Sequence, residues 1–286
     1  MKTFDDMKKE TKECPATLSG GRKGESARLV LLGAVCGDMI GSPYEFKNTK
    51  NYDFKLFPPW SRFTDDTVCT IGVADALLSG RPFSESVREW CRKYIEAGYG
   101  GLFRRWITSD SMEPYNSWGN GSAMRVSPVG AYARSLDEAL ELAKRSAEFT
   151  HNHPEGIKGA QAVAAAIHYA LTGHSKEEIK SMVESRFGYD LGRKYDDIQP
   201  DYRFEVSCQK SVPESIICFL ESHDYESAIR KAVAMGGDAD TMGAITGGIA
   251  AAFYGEIPDY ILAPALKLLP DDMLEVVNRF KASLSL

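Results

Sequence analysis

Apolar residues recur at helical spacing along most of this chain, and strand-like alternation of apolar and polar residues is hard to find. Such spacing places the apolar side chains on one face of an α-helix, where other helices can bury them. The helical segments are expected at about residues 27–41, 67–79, 84–97, 136–149, 157–172, 176–186, 212–221, 224–235, 241–254 and 273–284. The pattern therefore predicts a compact all-α fold.

The same pattern indicates how the chain is divided. Residues 1–25 are rich in Lys, Thr, Ser, Gly and Glu with little apolar periodicity, so we expect a flexible tail. From residue 26 to residue 286 no repeat, charge block or long linker separates one part from another, which favours a single domain. The segment 188–211 is polar and irregular, and we expect it to be a surface insertion or a lid.

Composition limits the compartment and the partners. The formal net charge of −6 argues against a broad nucleic-acid-binding face, but it allows a local basic pocket for phosphates. The six cysteines form no CxxC pair and have no metal-binding spacing, as expected for reduced thiols in the cytoplasm. No apolar stretch suits a signal peptide or a membrane span. We therefore expect a cytoplasmic monomer, and a small anionic ligand is compatible with its charge.

Two short acidic clusters carry the strongest chemical signal. Thr-Asp-Asp-Thr at residues 64–67 and Asp-Ala-Asp-Thr at residues 238–241 each open directly into an apolar, helix-like run. Aspartate and threonine are good N-cap residues, so either cluster alone could simply cap a helix. A second acid at the same helix start adds repulsion that capping does not require and that a cation would relieve. The pair therefore favours one split site for a hard cation, Mg²⁺ or Mn²⁺ rather than zinc.

Glycines occur at two places where close approach of the backbone is expected. Gly33, Gly37 and Gly41 recur at every fourth residue of one predicted helix, and we interpret this row as a surface for another helix. A second group lies around and behind the second acidic cluster and suggests close approach to something bound. That group consists of Gly236, Gly237, Gly243, Gly247 and Gly248.

Three further segments carry groups suited to a ligand. Glu45 follows a predicted helix in a proline-containing loop, where its carboxylate is free to swing toward a ligand. Residues 116–125 combine glycines, serines, an asparagine and a tryptophan, and such a loop could hold phosphate oxygens and offer an aromatic face to a base. His151 and His153 are better suited to hydrogen-bond a sugar or phosphate than to bind metal. Each segment also has a purely structural interpretation: Glu45 as a solvated surface acid, the loop 116–125 as a turn, and the histidines as part of a helix start.

Taken in order, these segments resemble the ADP-ribosylglycohydrolase family, which includes the dinitrogenase-reductase-activating glycohydrolases and the ADP-ribosyl-acceptor hydrolases. The resemblance runs from about residue 26 to residue 255 and depends on motifs that occur in register. They are Gly37-Asp38-Met39-Ile40-Gly41 with Glu45, Thr64-Asp65-Asp66-Thr67, Gly119-Asn120-Gly121-Ser122-Ala123-Met124-Arg125, Thr150-His151 and Gly237-Asp238-Ala239-Asp240-Thr241.

The resemblance implies a compact orthogonal multi-helix bundle with a binuclear Mg²⁺ or Mn²⁺ centre at the bottom of a cleft for ADP-ribose. The implied metal ligands are Thr64, Asp65, Asp66, Asp238, Asp240 and Thr241. The implied catalytic residues, which handle the proton, are Glu45 or one of the aspartates Asp65, Asp66 and Asp240.

The resemblance also implies where the substrate binds. Asn120 and His151 would contact the distal ribose or the diphosphate, Ser117 and Gly119 the phosphates, and Trp118 the adenine. The remaining members of the implied substrate-binding set are Gly100, Gly101, Gly121, Ser122 and Met124.

The implied reaction is metal-dependent hydrolysis that removes ADP-ribose from a modified protein, at the anomeric carbon of the distal ribose. Some arginine-linked hydrolases of the family carry an aspartate at the position of residue 117. This chain has Ser117 there, and the serine-linked branch also has a serine. Both arginine N-linked and serine O-linked acceptors therefore stay open. So do a catalytically silent ADP-ribose-binding relative and a hydrolase of a small ADP-ribosyl metabolite or of ADP-ribosylated nucleic acid.

Overall fold

The computed structural model describes residues 20–284, and this part of the chain consists of helices joined by turns and loops. A turn of 3-10 helix, Ser42–Tyr44, follows the first helix. Within the described residues the extended pairing is limited to an isolated bridge between Gly119 and Ser207, which confirms the all-α prediction. The helices are α1 (Gly20–Gly41), α2 (Asp65–Ser79), α3 (Phe83–Lys93), α4 (Gly101–Thr108), α5 (Gly121–Met124), α6 (Ser127–Tyr132), α7 (Leu136–Glu148), α8 (Pro154–Leu171), α9 (Lys176–Phe187), α10 (Tyr195–Ile198), α11 (Cys208–Leu220), α12 (Tyr225–Ala234), α13 (Ala239–Tyr254), α14 (Asp259–Leu268) and α15 (Asp271–Ser283).

Each segment with helical spacing forms a helix, and the differences lie at the ends. α1 begins at Gly20, ahead of the domain boundary expected at residue 26. Of the tail expected over residues 1–25, residues 1–19 lie outside the described part of the chain. α3 ends at Lys93 rather than near residue 97. The spacing gives no signal for α4, α5, α6, α10 and α14, most of which are too short to show a full apolar period.

Helix α13 lies at the centre of the molecule, and every residue from Ala239 to Ala252 is buried. A methyl group added at Gly37 would overlap the carbonyl of Gly243, and one added at Gly33 would overlap that of Gly247. α1 and α13 therefore cross in backbone contact, which confirms the packing role of the glycine row in α1. Any larger residue at this crossing would force the helices apart, at a typical cost of about 1–3 kcal/mol.

The expectation that the glycines behind the second acidic cluster approach a ligand is wrong for Gly243 and Gly247, because they face α1. Gly248 faces the Cβ atom of Ser127 on α6. Gly236 adopts a positive φ of 74° that few other residues tolerate, and it lies against the side chain of Lys50. These glycines serve packing within the protein.

Two findings concern the compartment and the membrane. No helix within residues 20–284 combines the length and the apolar character needed to cross a bilayer. Five cysteines lie in the described part of the chain as buried free thiols, and Cys14 lies outside it.

Candidate active site

The crossing of α1 and α13 brings the two acidic clusters together. Asp38 lies on the glycine-bearing part of α1, Asp66 lies in the first turn of α2, and Asp240 lies in the first turn of α13. One carboxylate oxygen of each lies within 4.8 Å of an oxygen of the other two. Residues far apart in the sequence therefore form one buried acidic group.

A second acidic group shares Asp240 with the first. Glu45, Asp238 and Asp240 each contribute one carboxylate oxygen, and these three oxygens also lie within 4.8 Å of one another. Thr241 joins the groups, because its hydroxyl donates to Asp66 Oδ2 over 3.3 Å. The arrangement offers two adjacent positions at which oxygen atoms could hold a hard cation.

The hydrogen bonds of the two clusters show which of their side chains cap a helix and which do not. Thr64 is the N-cap of α2, and its Oγ1 accepts from the N–H of Asp66 over 3.3 Å. Asp238 has the N-cap position of α13, yet among the described residues its side chain makes no capping bond to the helix. Its Oδ2 accepts instead from Asn120 Nδ2 over 2.7 Å. Capping therefore accounts for Thr64 and leaves Asp238 available to a ligand.

One carboxylate oxygen of Asp66 has no hydrogen-bond partner among the described residues. This atom, Oδ1, is buried. A buried polar atom without a partner costs about 1–3 kcal/mol, and more when it is charged. The atom therefore fits a cation ligand, and carboxylate and hydroxyl oxygens are the donors that Mg²⁺ and Mn²⁺ prefer.

Burial and mutual repulsion raise the pKa of the carboxyl groups in this site. Desolvation is the main cause for every aspartate in the two groups, and neighbouring carboxylates add to the rise for Asp66 and Asp240. Burial and then the charge of Asp238 raise the pKa of Glu45 to about 7. Burial and nearby carboxylates raise the pKa of Asp65 to about 8. A cation between these groups would favour their ionised forms.

Asp38 organises the start of α2. Its Oδ1 accepts from the hydroxyl of Thr64 over 2.7 Å, and its Oδ2 accepts from the backbone N–H groups of Thr64 and Thr67 over 3.0 and 3.1 Å. The hydroxyl of Thr67 donates to the same Oδ2. Sequence reasoning placed Asp38 inside a motif without giving it a role, because its partners Thr64 and Thr67 lie far away in the chain.

Glu45 reaches the site from the loop that follows α1. Its loop is held by Asn48, whose Nδ2 donates to the carbonyl of Glu45 over 2.7 Å and to that of Gly237 over 2.8 Å. Gly237 directly precedes Asp238 in the chain. One amide therefore ties the Glu45 loop to the start of α13.

A cleft of about 530 Å³ contains the acidic site. This volume is in the usual range for small-molecule sites. The sequence-derived candidates that line it are Glu45, Asp65, Asp66, Gly100, Gly101, Ser117, Gly119, Asn120, Gly121, Met124, His151, Asp238, Asp240 and Thr241. The motifs that resemble the family thus converge on one cavity.

Three candidates lie beside this lining. Thr64 is buried, with its hydroxyl directed to Asp38. Ser122 is also buried, and its hydroxyl donates to the carbonyl of Gly156 over 2.7 Å, which holds its loop against α8. Trp118 is 54% exposed and meets the ring of His153 edge-on, at 5.7 Å between centroids.

His151 presents a neutral ring to the cleft. The hydroxyl oxygen of Thr150 accepts a hydrogen bond from Arg125 Nη2 over 2.9 Å. Within the described residues, the Thr150 hydroxyl has one acceptor for its proton, His151 Nδ1, at 2.8 Å. The ring proton therefore lies on Nε2, beside Gly121. Burial and the charge of Arg125 lower the pKa of His151 well below its ordinary value. The imidazole is a fixed hydrogen-bond donor toward the cleft.

His153 has a structural role instead. Its Nδ1 accepts from the N–H of Glu155 over 3.1 Å and so caps α8.

The start of one helix in the cleft suits an anion. α4 begins at the cleft with Gly100 and Gly101, where its free N–H groups and the positive end of its dipole favour phosphate. On the other loop, the N–H of Gly119 donates to Ser117 Oγ over 3.1 Å, so the group that this loop offers to an anion is the Ser117 hydroxyl. Arg125 also lines the cleft, but its guanidinium is buried and donates to the carbonyl of Ser146 and the hydroxyl of Thr150.

The irregular segment over residues 188–211 forms part of the cleft wall. The carbonyl of Val206 accepts from the N–H of Asn120 over 2.8 Å, so the segment packs directly against the glycine-rich loop. Phe204 and Val206 line the cleft, as do Phe46 and Tyr115. Sequence reasoning missed these four residues, because no local pattern marks an apolar side chain in a loop as part of a ligand site.

Comparison with known proteins identifies the family. The model of the family described as ADP-ribosylglycohydrolase matches residues 21–285. The chain is 26% identical to ADP-ribosylhydrolase ARH3 of Bos taurus, over 80% of this chain and 85% of that protein. It is 24% identical to the ADP-ribosylarginine hydrolase Tri1 of Pseudomonas putida, over 84% of this chain and 73% of that protein.

A solved structure shares the fold. An ADP-ribosylglycohydrolase-related protein complex superimposes with a TM-score of 0.69 at 23% identity, over 92% of this chain and 98% of that chain. The family model extends over nearly all the described residues, including both acidic clusters and the glycine-rich loop. The chain therefore belongs to the ADP-ribosylglycohydrolase family and is an enzyme of that class.

Proposed function

We propose that this protein is a metal-dependent hydrolase that removes ADP-ribose from a modified protein side chain. The bond cleaved is the one at the anomeric carbon of the distal ribose. The observation that carries the proposal is the meeting of two acidic helix starts, with a partnerless Asp66 oxygen, in the wall of a 530 Å³ cleft. The names of the relatives, an ADP-ribosylhydrolase and an ADP-ribosylarginine hydrolase, support the same reaction class.

The cations that this site would hold are two Mg²⁺ or Mn²⁺ ions. One position is formed by Asp66 and Asp240 beside Asp38, and the other by Asp238 and Asp240 beside Glu45. Asp65, Thr64 and Thr241 complete the proposed ligand set. When bound, such ions supply electrostatic binding of sugar hydroxyls and lower the pKa of a coordinated water.

The protein groups position the substrate. The start of α4 and the loop at Ser117 and Gly119 bind the diphosphate, which fixes the sugar relative to the acids. His151 donates Nε2–H to a sugar or phosphate oxygen, and Asn120 lies between the loop and Asp238. Binding of the distant diphosphate thereby lowers the entropy cost of orienting the anomeric carbon.

Glu45 handles the proton in this proposal. Hydrolysis of a glycosidic bond needs one group that assists the leaving atom and one that deprotonates water. Glu45 lies on a loop, is only partly buried and lines the cleft, so its carboxylate can approach both the anomeric carbon and the leaving group. Asp65, Asp66 and Asp240 are the alternative proton carriers.

Ser117 helps to indicate whether ADP-ribose is removed from serine or from arginine. Where some arginine-linked family members have an aspartate, this chain presents a hydroxyl whose oxygen accepts from Gly119. We therefore place a serine O-linked acceptor first and an arginine N-linked acceptor second.

The test uses peptides carrying ADP-ribose on serine or on arginine, incubated with the protein in Mg²⁺ or in EDTA. We expect release of ADP-ribose from at least one peptide in Mg²⁺ and none in EDTA. Asp238→Asn should abolish release, and the exposed control Asp110→Asn should not. Binding of free ADP-ribose without release from either peptide would contradict the hydrolase proposal and favour a silent binding protein.

A further inference from the structure

A second cavity adjoins the cleft on the side of Glu45. It has a volume of about 340 Å³, and Phe46 lines both this cavity and the cleft. We refer to it as the Phe46 groove. Its lining residues are Ser42, Pro43, Phe46, Lys47, Trp60 and Arg62.

The two walls of the Phe46 groove come from the segments that carry the acidic site. One wall follows α1 and contains Glu45, and the other directly precedes Thr64 and α2. The walls are joined by a hydrogen bond from the N–H of Arg62 to Ser42 Oγ over 3.2 Å. The groove is therefore a built extension of the site.

Large aromatic surfaces in this groove face solvent. Phe46 is 81% exposed and Trp60 is 67% exposed. Phe46 also meets Phe204 of the opposite cleft wall at 6.1 Å between ring centroids. An exposed apolar patch that is rimmed by polar residues is a feature of interaction sites.

The charge of the groove is positive, in contrast to the chain as a whole. Lys47 and Arg62 are exposed, and within residues 20–284 neither forms an ion pair. The net charge of the chain is −6. Two unpaired cations beside two aromatic rings complement a ligand with acidic and apolar groups.

The position of the groove determines what could occupy it. Ser117, Gly119 and the start of α4 lie in the cleft lining and are absent from the groove lining. If the diphosphate binds to those groups, the anomeric carbon lies at the acids, and the acceptor leaves the cleft past Glu45 and Phe46. The groove is the continuation of that path.

We propose that the Phe46 groove binds the acceptor polypeptide and selects segments with an acidic and an apolar residue next to the modified side chain. This inference rests on the proposed hydrolase function. A polypeptide fits the groove better than a nucleic-acid strand, which would need cations repeated along its backbone. The acidic residue contacts Lys47 and Arg62, and the apolar residue packs on Trp60.

The test compares three substrates with the same linkage: an ADP-ribosyl peptide with flanking glutamates, the same peptide with flanking lysines, and the ADP-ribosyl amino acid alone. We expect the KM of the acidic peptide to be about two- to fivefold below that of the basic peptide, the range for exposed charge pairs. The difference should shrink in 0.5 M NaCl, because salt screens such pairs.

Two variants examine the groove directly. Lys47→Glu should remove the preference for the acidic peptide, and Trp60→Ala should raise the KM of both peptides, while kcat and the KM of the amino acid conjugate stay unchanged. The matched control is Lys267→Glu, an exposed charge reversal on α14. It should change none of these values.

The outcomes separate this inference from the proposed function. Equal KM values for the peptides, with Lys47→Glu indistinguishable from Lys267→Glu, would overturn the groove and leave the hydrolase intact. An ADP-ribosylated oligonucleotide whose KM alone responds to Lys47→Glu would overturn the assignment to a polypeptide. If no substrate is cleaved in Mg²⁺ although ADP-ribose binds, both proposals are overturned.

Discussion

The side-chain amide of Asn120 donates a 2.7 Å hydrogen bond to Asp238 Oδ2, and so joins the glycine-rich loop to the acidic site. The bond fixes a carboxylate that stands at a helix N-cap position without capping the helix. In the proposed function, this contact links binding of substrate at the loop to binding of a cation at the acids.

Removing the amide should weaken the metal site. In Asn120→Ala, Asp238 loses the donor that orients it, and loss of such an outer partner typically costs about 10–100-fold in metal affinity or activity. Titration calorimetry with Mn²⁺ measures the affinity. Ser211→Ala is the control, because it removes the other hydrogen bond of the same amide, at 3.3 Å, and leaves the bond to Asp238 in place. Unchanged Mn²⁺ affinity in Asn120→Ala would contradict the linkage.

Neutralising a buried acid should stabilise the metal-free protein. In Asp66→Asn the side chain keeps an oxygen for the hydroxyls of Thr64 and Thr241 and loses the repulsion from neighbouring carboxylates. We expect the free energy of unfolding in EDTA to rise by about 1–2 kcal/mol near pH 7. We also expect Mg²⁺ to raise the Tm of the parent protein and to leave the Tm of Asp66→Asn unchanged. Urea unfolding and thermal scans provide these values, and a less stable Asp66→Asn protein in EDTA would speak against the prediction.

The stability of the metal-free protein should fall as pH rises. The pKa of Glu45 is raised from 4.5 to about 7 and that of Asp65 from 3.8 to about 8, so the folded state holds more protons than the unfolded state between these limits. Their protonated forms stabilise the fold below about pH 4, and this contribution is lost as pH rises to about 8.

Mg²⁺ should reverse this trend, because it binds the ionised carboxylates. Thermal scans from pH 5 to pH 9, in EDTA and in Mg²⁺, test both statements. A Tm in EDTA that rises steadily across this range would exclude the predicted electrostatic origin.

The orientation of His151 should depend on the hydroxyl of Thr150. In Thr150→Val the imidazole loses the donor to Nδ1, and the buried Arg125 loses one acceptor. We expect a loss of about 1–3 kcal/mol in stability and up to about tenfold weaker binding of ADP-ribose, with Mn²⁺ affinity retained. Thr150→Ser keeps the hydroxyl and should restore ADP-ribose affinity. Weaker Mn²⁺ binding in Thr150→Val would show that the two subsites are not separate.

The sequence predicts the helices well because their apolar spacing is a local property. α14 escapes that analysis because Pro264 lies inside it, and α10 because it is a single turn. The sequence also indicates both acidic clusters and the glycine row of α1. The sequence does not indicate which carboxylates lie close together in the fold. That depends on the crossing of α1 and α13, which joins residues far apart in the chain.

The rest of the site depends on such long-range contacts. Asp38 could not be assigned from the sequence because its four hydrogen bonds go to residues of another helix start. Phe204 lines the cleft because the loop that carries it is held by Asn120 through the neighbouring Val206. Neither contact leaves a local pattern in the sequence.

The central claim is that the two acidic clusters form one binuclear cation site. Anomalous diffraction from a crystal soaked in Mn²⁺ tests it most directly. We predict two peaks, one at Asp66 and Asp240 and one at Asp238 and Asp240 beside Glu45, about 3.5–4 Å apart as in other two-metal sites. The absence of any peak between these residues at saturating Mn²⁺ would contradict the claim.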